Sequence, residues 1–158
     1  MIVVSDTSPI TNLLRIGRID LLRDLFQTVV IPNSVYTEIA AVEDQRDPIS
    51  EIDWIKIVSV TNSQLLNKLL RTLDRGESEA ITLAVELSAD YLLIDESLGR
   101  TEAKKLDLEI TGVLGVLIRA KEKGLIPLVG PEIRKLISDA GFWLNDDLVR
   151  SVLRNIGE

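Results

Sequence analysis

The sequence contains no cysteine and no histidine among its 158 residues. Without cysteine there is no disulfide, no thiolate nucleophile and no thiolate zinc site. Without histidine, the commonest general base and transition-metal ligand is also missing. Any active site must therefore use carboxylates, hydroxyls, lysine or arginine.

Long hydrophobic runs are missing too. No stretch reaches the roughly 18 uncharged apolar residues that span a bilayer. The opening MIVVSD lacks the basic start and long apolar stretch of a secretory signal. We therefore expect a cytoplasmic protein with no membrane association. The apolar content of 46%, with charges interspersed, predicts one globular domain over residues 1–158.

Positive charge is in short supply, and the formal net charge is −7. Because nucleic-acid binding draws largely on the neutralisation of phosphates, this balance argues against a strong nucleic-acid binder. A bound divalent cation or a local basic face can, however, reverse the field where the ligand lies. The charge therefore leaves nucleic acid open as a ligand.

Five short apolar runs rich in Val and Ile alternate with helical patterns. Their apolar character is continuous, which is typical of a parallel sheet covered on both faces. The alternation predicts a three-layer α/β/α domain with a central parallel sheet of about five strands. The predicted strands are residues 1–5, 28–31, 55–60, 90–95 and 108–111.

The helix signals are apolar residues at three- and four-residue spacing, with capping residues at several ends. Asn33 or Ser34 is available to cap the helix after the second strand, and Asn145 to cap the last helix. We expect the C-terminal helices, about 131–156, to pack on the domain.

Two further parts of the sequence carry weaker signals. The acidic stretch 42–53 predicts a mobile, solvated loop. The apolar residues Ile19, Leu22 and Phe26 fit either a dimer surface or the core.

Carboxylates follow the predicted strands or begin the neighbouring helices, where open parallel sheets collect functional groups. Asp6 and Asp95 each end a buried strand, so two like charges should lie in one crevice. Such a pair requires a cation or a bound proton. Oxygen ligands alone favour Mg²⁺ or Mn²⁺ over zinc. The candidate acids are Asp6, Glu38, Glu77, Glu79, Asp95 and Glu96.

Each of these acids also has a purely structural interpretation. Asp6 could cap the short helix near Pro9, and Glu77 could satisfy a helix N-terminus, where negative charge is favourable. As a set, however, they could hold a metal that activates a water and neutralises charge on a phosphodiester. Hydrolysis of a nucleic-acid backbone fits this equipment.

Five segments together resemble PIN-domain proteins of the VapC-like kind. The nearest branch is one often described only as predicted nucleic-acid-binding. The resemblance runs from Met1 to about Ile126 and, more loosely, through the last two helices. The segments, in order, are SDTSPI, IPNSVYTEI, DRGESEAITLA, LLIDESLGR and ITGVLGVLIRAKEKGLI.

The resemblance implies a Mg²⁺- or Mn²⁺-dependent endoribonuclease with a compact acidic pocket. Such proteins are commonly homodimers and are often the toxin of a type II toxin-antitoxin pair, which implies an RNA substrate and a cognate antitoxin. A catalytically weak or inactive PIN domain that binds nucleic acid or protein is the alternative.

Site residues carry over position by position. Asp6 matches the first acid, Glu38 the helix glutamate and Asp95 the last acid of the catalytic, metal-binding set. For the third acid we favour Glu77, with Glu79 as the competitor. A glutamate replaces the usual aspartate there, which points to altered metal geometry or weak activity.

Secondary positions complete the expectation. Thr7 and Ser8 match hydroxyl positions after the first acid, although helix capping would also explain them. Glu96 stands beside Asp95. Arg100 and Lys104, one turn apart, are candidate phosphate-binding residues, or else part of an ordinary solvated helix face.

Overall fold

A five-stranded parallel sheet with strand order β3-β2-β1-β4-β5 organises the computed structural model, which describes residues 1–158. Each strand pairs in parallel with its neighbours, and β1 lies at the centre. The predicted three-layer fold is confirmed, although the strands are shorter than the apolar runs. They are β1 Val3–Ser5, β2 Val29–Ile31, β3 Ile55–Ile57, β4 Tyr91–Leu93 and β5 Ile110–Thr111.

Ten helices flank the sheet. None is long and apolar enough to cross a membrane. As the sequence predicts, the Asn145 side chain caps the last helix by accepting the Asp147 N–H at 2.8 Å. The helices are α1 Thr7–Arg15, α2 Asp20–Phe26, α3 Asn33–Ala41, α4 Glu43–Glu51, α5 Ser63–Leu69, α6 Arg75–Glu86, α7 Ser97–Lys105, α8 Val113–Glu122, α9 Gly130–Ser138 and α10 Asp146–Asn155.

The core forms one cluster on each face of the sheet. Successive strand residues point to opposite faces: Val3 belongs to a cluster of 22 buried residues and Val4 to a cluster of 10. The larger cluster includes side chains from α1, α2 and α8, and the smaller one is built mainly on α6. This two-sided burial accounts for the continuous apolarity of the strands.

The C-terminal helices join the larger cluster. Ile133 and Leu136 of α9 are buried within it, and Leu153 of α10 packs against it. The Glu158 carboxylate accepts hydrogen bonds from Lys121 Nζ at 2.8 Å and from the N–H groups of Val129 and Gly130 at 2.8 and 2.9 Å. This carboxylate therefore ties the end of α10 to α8 and to the first turn of α9.

The prediction of a loop over residues 42–53 is wrong, because Glu43–Glu51 forms helix α4. Its two acids in the first turn interact favourably with the helix N-terminus. Gln45 and Ile49, one turn apart, are buried, which gives the helix an inward face despite Pro48 in its interior.

Two further expectations are resolved. Leu22 and Phe26 are buried in the larger cluster and Ile19 packs against it, so these residues belong to the core and do not form a dimer surface. Neither Asn33 nor Ser34 caps α3 with its side chain; Pro32 is the N-cap residue.

We predict that Glu158→Gln loosens the C-terminal helices. Burial works to raise the pKa of Glu158, but hydrogen bonds from Lys121, Val129 and Gly130 outweigh it and lower the pKa to about 2. The carboxylate therefore stabilises the fold above its ordinary pKa, and this contribution is lost as the pH falls toward 2. At pH 7 the variant should lose about 1 kcal/mol of unfolding free energy.

Chemical denaturation at pH 7 and at pH 3 measures this difference, which should be smaller at the lower pH. Glu122→Gln is the matched control, since Glu122 is exposed at the end of α8. An unchanged stability of Glu158→Gln at pH 7 would contradict the prediction.

Candidate active site

A pocket of about 500 Å³ opens near the carboxyl end of β1, and none of its lining residues is hydrophobic. We call it the acid pocket. Five carboxylates line it, against one cation, Arg15. Its residues are Asp6, Thr7, Ser8, Thr11, Asn12, Arg15, Glu38, Asp74, Glu77 and Glu96.

Asp6 is fixed by the central strand pair. Ser5 pairs with Leu93 across β1 and β4, and the Asp6 N–H donates to the Leu93 carbonyl at 2.9 Å. Asp6 is only 4% exposed. It precedes α1, yet its side chain makes no capping hydrogen bond to that helix. The capping alternative therefore does not account for this buried carboxylate.

Glu38 reaches the acid pocket from α3, and Thr7 holds it there. Thr7 Oγ1 donates to Glu38 Oε2 at 2.7 Å. On the other side lies Gly76, where a Cβ atom would stand 2.6 Å from Glu38 Oε1. Glycine at this position therefore lets the first turn of α6 approach the glutamate.

Glu77 enters from the first turn of α6. Asp74 Oδ1 accepts the Glu77 N–H at 2.9 Å and so caps the helix. The Glu77 carboxylate has no hydrogen-bonding partner of its own and lines the acid pocket. Sequence reasoning missed Asp74, although the Asp-x-x-Glu spacing is a capping signal that could have identified it.

Glu79 lies outside the acid pocket. Its Oε1 accepts the Ser34 N–H at 3.4 Å, and its Oε2 pairs with Arg75 at 2.9 Å. The side chain is largely buried and supports the first turn of α3. The geometry therefore separates the two competing glutamates: Glu77 faces the other acids and Glu79 does not.

Asp95 also lies outside the acid pocket, in two adjoining depressions. Its carboxylate accepts the Val113 N–H at the start of α8, at 3.1 and 3.3 Å. It packs so closely on Gly112 that any side chain there would overlap it. Glu96 connects the two regions, since it lines both the acid pocket and one depression beside Asp95.

The basic residues near the acids lie in different surroundings. Arg100 lies beside Asp95 and donates to the Ile94 carbonyl at 2.9 Å. Lys104 is exposed on α7 and makes no ion pair. Arg15, which the sequence reasoning missed, is the one cation that lines the acid pocket. Its signal was the spacing of Ser8, Asn12 and Arg15 on one face of α1.

Burial and mutual repulsion raise the proton affinity of the acids. Burial is the main cause that raises the pKa of Asp6 to about 7; the Thr7 N–H opposes it, while Glu77, Asp74 and Glu38 add repulsion. Burial, then repulsion from Asp74 and Glu96, raises the pKa of Glu77 to about 7.

Asp95 behaves similarly but has compensating partners. Burial raises its pKa to about 6, although the Val113 N–H and Arg100 act to lower it. Like charges at close range call for a proton or a cation. The acid pocket therefore carries negative charge that its own residues do not neutralise.

The donor set fits a hard divalent cation. It offers only oxygen ligands, and Mg²⁺ and Mn²⁺ prefer these. As the side chains stand, no group of three or more acids is arranged to hold an ion. Binding would therefore need rotation of side chains, for which the unbonded Glu77 carboxylate is free.

Comparison with known proteins identifies the family. The family model named DUF3368 and described as a PIN domain matches residues 2–158. The chain belongs to this PIN-domain family. PIN domains are generally nucleases and typically use divalent metals, so the family supports a nuclease-type fold. The resemblance seen in the sequence motifs is confirmed.

A solved structure agrees with the fold. This PIN-domain chain is similar to a PilT N-terminus domain protein from the hyperthermophilic archaeon Sulfolobus solfataricus P2, with a TM-score of 0.53 and 19% identity. The match covers 76% of this chain and 93% of the other. No curated protein matches the chain.

We predict that the metal-free protein loses stability as the pH rises. Between pH 4 and pH 7 the native state keeps protons on Asp6 and Glu77 that the unfolded chain has released, so the unfolding free energy falls. Asp6→Asn should flatten this dependence on pH. At pH 8 the unfolding free energy of the variant should exceed that of the wild type by about 1–3 kcal/mol.

Denaturant unfolding in EDTA from pH 4 to pH 8 tests this expectation. Asp20→Asn, an exposed acid on α2 outside the acid pocket, should retain the wild-type slope. An Asp6→Asn variant with that same slope would refute the charge-repulsion account.

Proposed function

We propose that this PIN domain is a cytoplasmic, metal-dependent endoribonuclease that hydrolyses RNA phosphodiester bonds. The observation that carries the proposal is the acid pocket. It gathers five carboxylates against one arginine, and the pKa values of Asp6 and Glu77 are raised to about 7. A purely structural cluster has no need of such uncompensated charge. A phosphodiester nuclease needs a site that concentrates a cation.

In the proposed division of roles, Asp6 would hold the cation from the end of β1, and Asp95 would join it from the end of β4 once its carboxylate turns away from the Val113 N–H. Glu77 and Glu38 would complete the site directly or through water. Thr7 orients Glu38 through its hydrogen bond of 2.7 Å. Asn12 is buried and fixed to Ser8 at 3.2 Å, which keeps the α1 wall of the pocket in place.

Bound Mg²⁺ or Mn²⁺ would lower the pKa of a water and neutralise charge on the phosphoryl oxygens. In the proposed hydrolysis, the oxygen of a water would bond to phosphorus while the bond from phosphorus to the 3′ oxygen breaks. The water would give up one proton and the 3′ oxygen would take one up, so the products would be a 5′-phosphate and a 3′-hydroxyl. Asp6 and Glu77 would release protons as the cation binds, because carboxylate ligands must be ionised.

Arg15 and Arg100 are the proposed phosphate contacts of the chain. Arg15 lines the acid pocket, and Arg100 lines the depression that holds Asp95. Lys104, exposed on the same helix as Arg100, would contact more distant phosphates. A homodimer and a cognate antitoxin, as for the toxin of a type II pair, belong to the proposal through the resemblance to VapC-like proteins.

A noncatalytic binding module is the second candidate. Two observations favour it: no three acids are arranged to hold an ion, and Asp95 is engaged by the Val113 N–H with Arg100 nearby. On this alternative, the acids would be remnants of a site or a docking surface. Metal binding separates the two candidates.

We predict that the melting temperature in millimolar Mn²⁺ is higher than the melting temperature in EDTA. A ligand that binds only the native state must stabilise it, by about 2.7 kcal/mol at 100 times its Kd. Asp6→Asn and Asp95→Asn should lose most of this rise and should abolish cleavage of a single-stranded RNA. Differential scanning calorimetry and gel assays measure the two effects.

Asp20→Asn is the matched control and should keep both the shift and the activity, since Asp20 is exposed outside the pocket. If Mn²⁺ leaves the melting temperature of the wild type unchanged, the nuclease proposal fails and the binding module is favoured.

We further predict opposite phenotypes for the two competing glutamates. Glu77→Gln should lower kcat by 100-fold or more without lowering the metal-free melting temperature, because its carboxylate has no hydrogen bond to lose and its neutralisation relieves repulsion. Glu79→Gln should lower the melting temperature and keep kcat, because it removes the ion pair with Arg75 and the charge on the acceptor of the Ser34 N–H. The reverse pattern would assign the third acid to Glu79.

A further inference from the structure

Trp143 is the most exposed large hydrophobic residue of the chain, at 81%. It lies between α9 and α10 and lines two depressions together with Asp95. Its neighbours Phe142 and Leu144 are half-buried and pack against the larger core cluster. The segment is therefore anchored on either side of an indole that is left in solvent.

Trp143 borders two depressions. One, of about 360 Å³, is also lined by Ser8, Asn12, Asp95 and Glu96. Ser8, Asn12 and Glu96 line the acid pocket as well, so the two spaces adjoin. A group stacked on Trp143 in this depression would sit beside the proposed reaction site.

The second depression, of about 510 Å³, lies between Trp143 and Arg100. Arg100 uses Nη1 to bind the Ile94 carbonyl at 2.9 Å, and its remaining guanidinium donors are not engaged in an ion pair. An indole and a guanidinium thus line one depression together with Asp95.

We propose that Trp143 and the smaller depression bind an unpaired nucleobase of single-stranded RNA next to the cleaved phosphate, while Arg100 contacts a neighbouring phosphate. This inference rests on the proposed function and specifies its substrate. Two carboxylates line the smaller depression, so it suits a neutral planar group better than a phosphate. A base stacked on an aromatic ring is such a group, and this mode favours single strands over duplexes.

The polar wall of the depression favours a base that carries an exocyclic amino group. Asn12 uses its Nδ2 to donate to Ser8, which leaves its carbonyl oxygen as an acceptor. The Glu96 carboxylate makes no capping bond and also only accepts. Cytosine, whose N4 amino group donates to such acceptors, should therefore bind more tightly than uracil.

Stacking also provides binding energy that does not depend on the net charge of the chain. With a net charge of −7, general attraction to phosphates gives the chain little affinity for RNA. Base stacking is independent of that charge, and removal of one stacking aromatic typically weakens binding by about tenfold.

The test uses the two tryptophans of the chain separately. In Trp54→Phe, Trp143 is the sole tryptophan, and its emission is titrated in EDTA with an oligo(C) RNA decamer. We expect quenching by oligo(C), at least threefold weaker binding of oligo(U), and none by an abasic decamer or an RNA duplex. In Trp143→Phe, the partly buried Trp54 should not respond.

Fluorescence anisotropy of labelled oligo(C) then compares the wild type with Trp143→Ala, for which we expect about tenfold weaker binding. Because Trp143 is exposed, this variant should keep the wild-type melting temperature. Equal quenching by the abasic decamer, no quenching by oligo(C), or unchanged affinity of Trp143→Ala would each overturn the proposal. Equal affinity for oligo(C) and oligo(U) would overturn the recognition by Asn12 and Glu96.

The same measurements keep this proposal separate from the nuclease proposal. Base-dependent quenching without Mn²⁺-dependent cleavage would support the stacking site and reject the nuclease. Cleavage by Trp143→Ala with an unchanged KM would support the nuclease and reject the stacking site. Quenching by a basic amphipathic peptide, with none by RNA, would assign the surface to a protein partner and overturn the proposal.

Discussion

The hydrogen bond from the Asp6 N–H to the Leu93 carbonyl, 2.9 Å long, extends the pairing of β1 with β4 and sets the position of the first acid. Because β1 is the central strand, its end is surrounded by the loops that follow its neighbours. Asp95 follows β4, and Glu38 lies on the helix after β2. Once the central pair is formed, the backbone positions of Asp6 and Asp95 are set, and their side chains must lie near this end of the sheet. The packing of the sheet and the charge of the acid pocket are thus consequences of one register.

The strand pairing brings these carboxylates together at an electrostatic cost, which lowers the stability of the fold. Asp6 is buried without a capping bond, and Glu77 has no partner for its carboxylate. Both keep protons to a pH well above that of ordinary carboxyls. The two hydrophobic clusters on either face of the sheet offset this cost, as expected for a site whose local energetics conflict with the rest of the fold. Thr7 and Gly76 limit how far Glu38 can move to relieve it.

The sequence predicted the features that follow from periodicity and from the order of motifs. The five apolar runs gave the strands because burial on both faces leaves an unbroken pattern. Prediction from the sequence failed where contacts between distant segments determine the structure. Helix α4 was read as a loop, since only Gln45 and Ile49 mark its inward face. Asp74 was overlooked although its spacing to Glu77 marks a helix cap, because only the folded structure shows that the same turn lines the acid pocket. Asp95 was expected beside Asp6, yet the close approach to Gly112 holds it toward α8.

The absence of histidine has a consequence for the charge of the native protein in solution. The side chains whose pKa values are raised toward neutral pH are carboxyls, namely Asp6 and Glu77 in the acid pocket and Asp95 beside it. The formal net charge of −7 counts every acid as ionised. Because these raised pKa values keep part of the acids protonated near neutral pH, the native chain is less negative there than the formal count. Its electrophoretic mobility near neutrality therefore responds to protonation at one end of the sheet, where these acids gather.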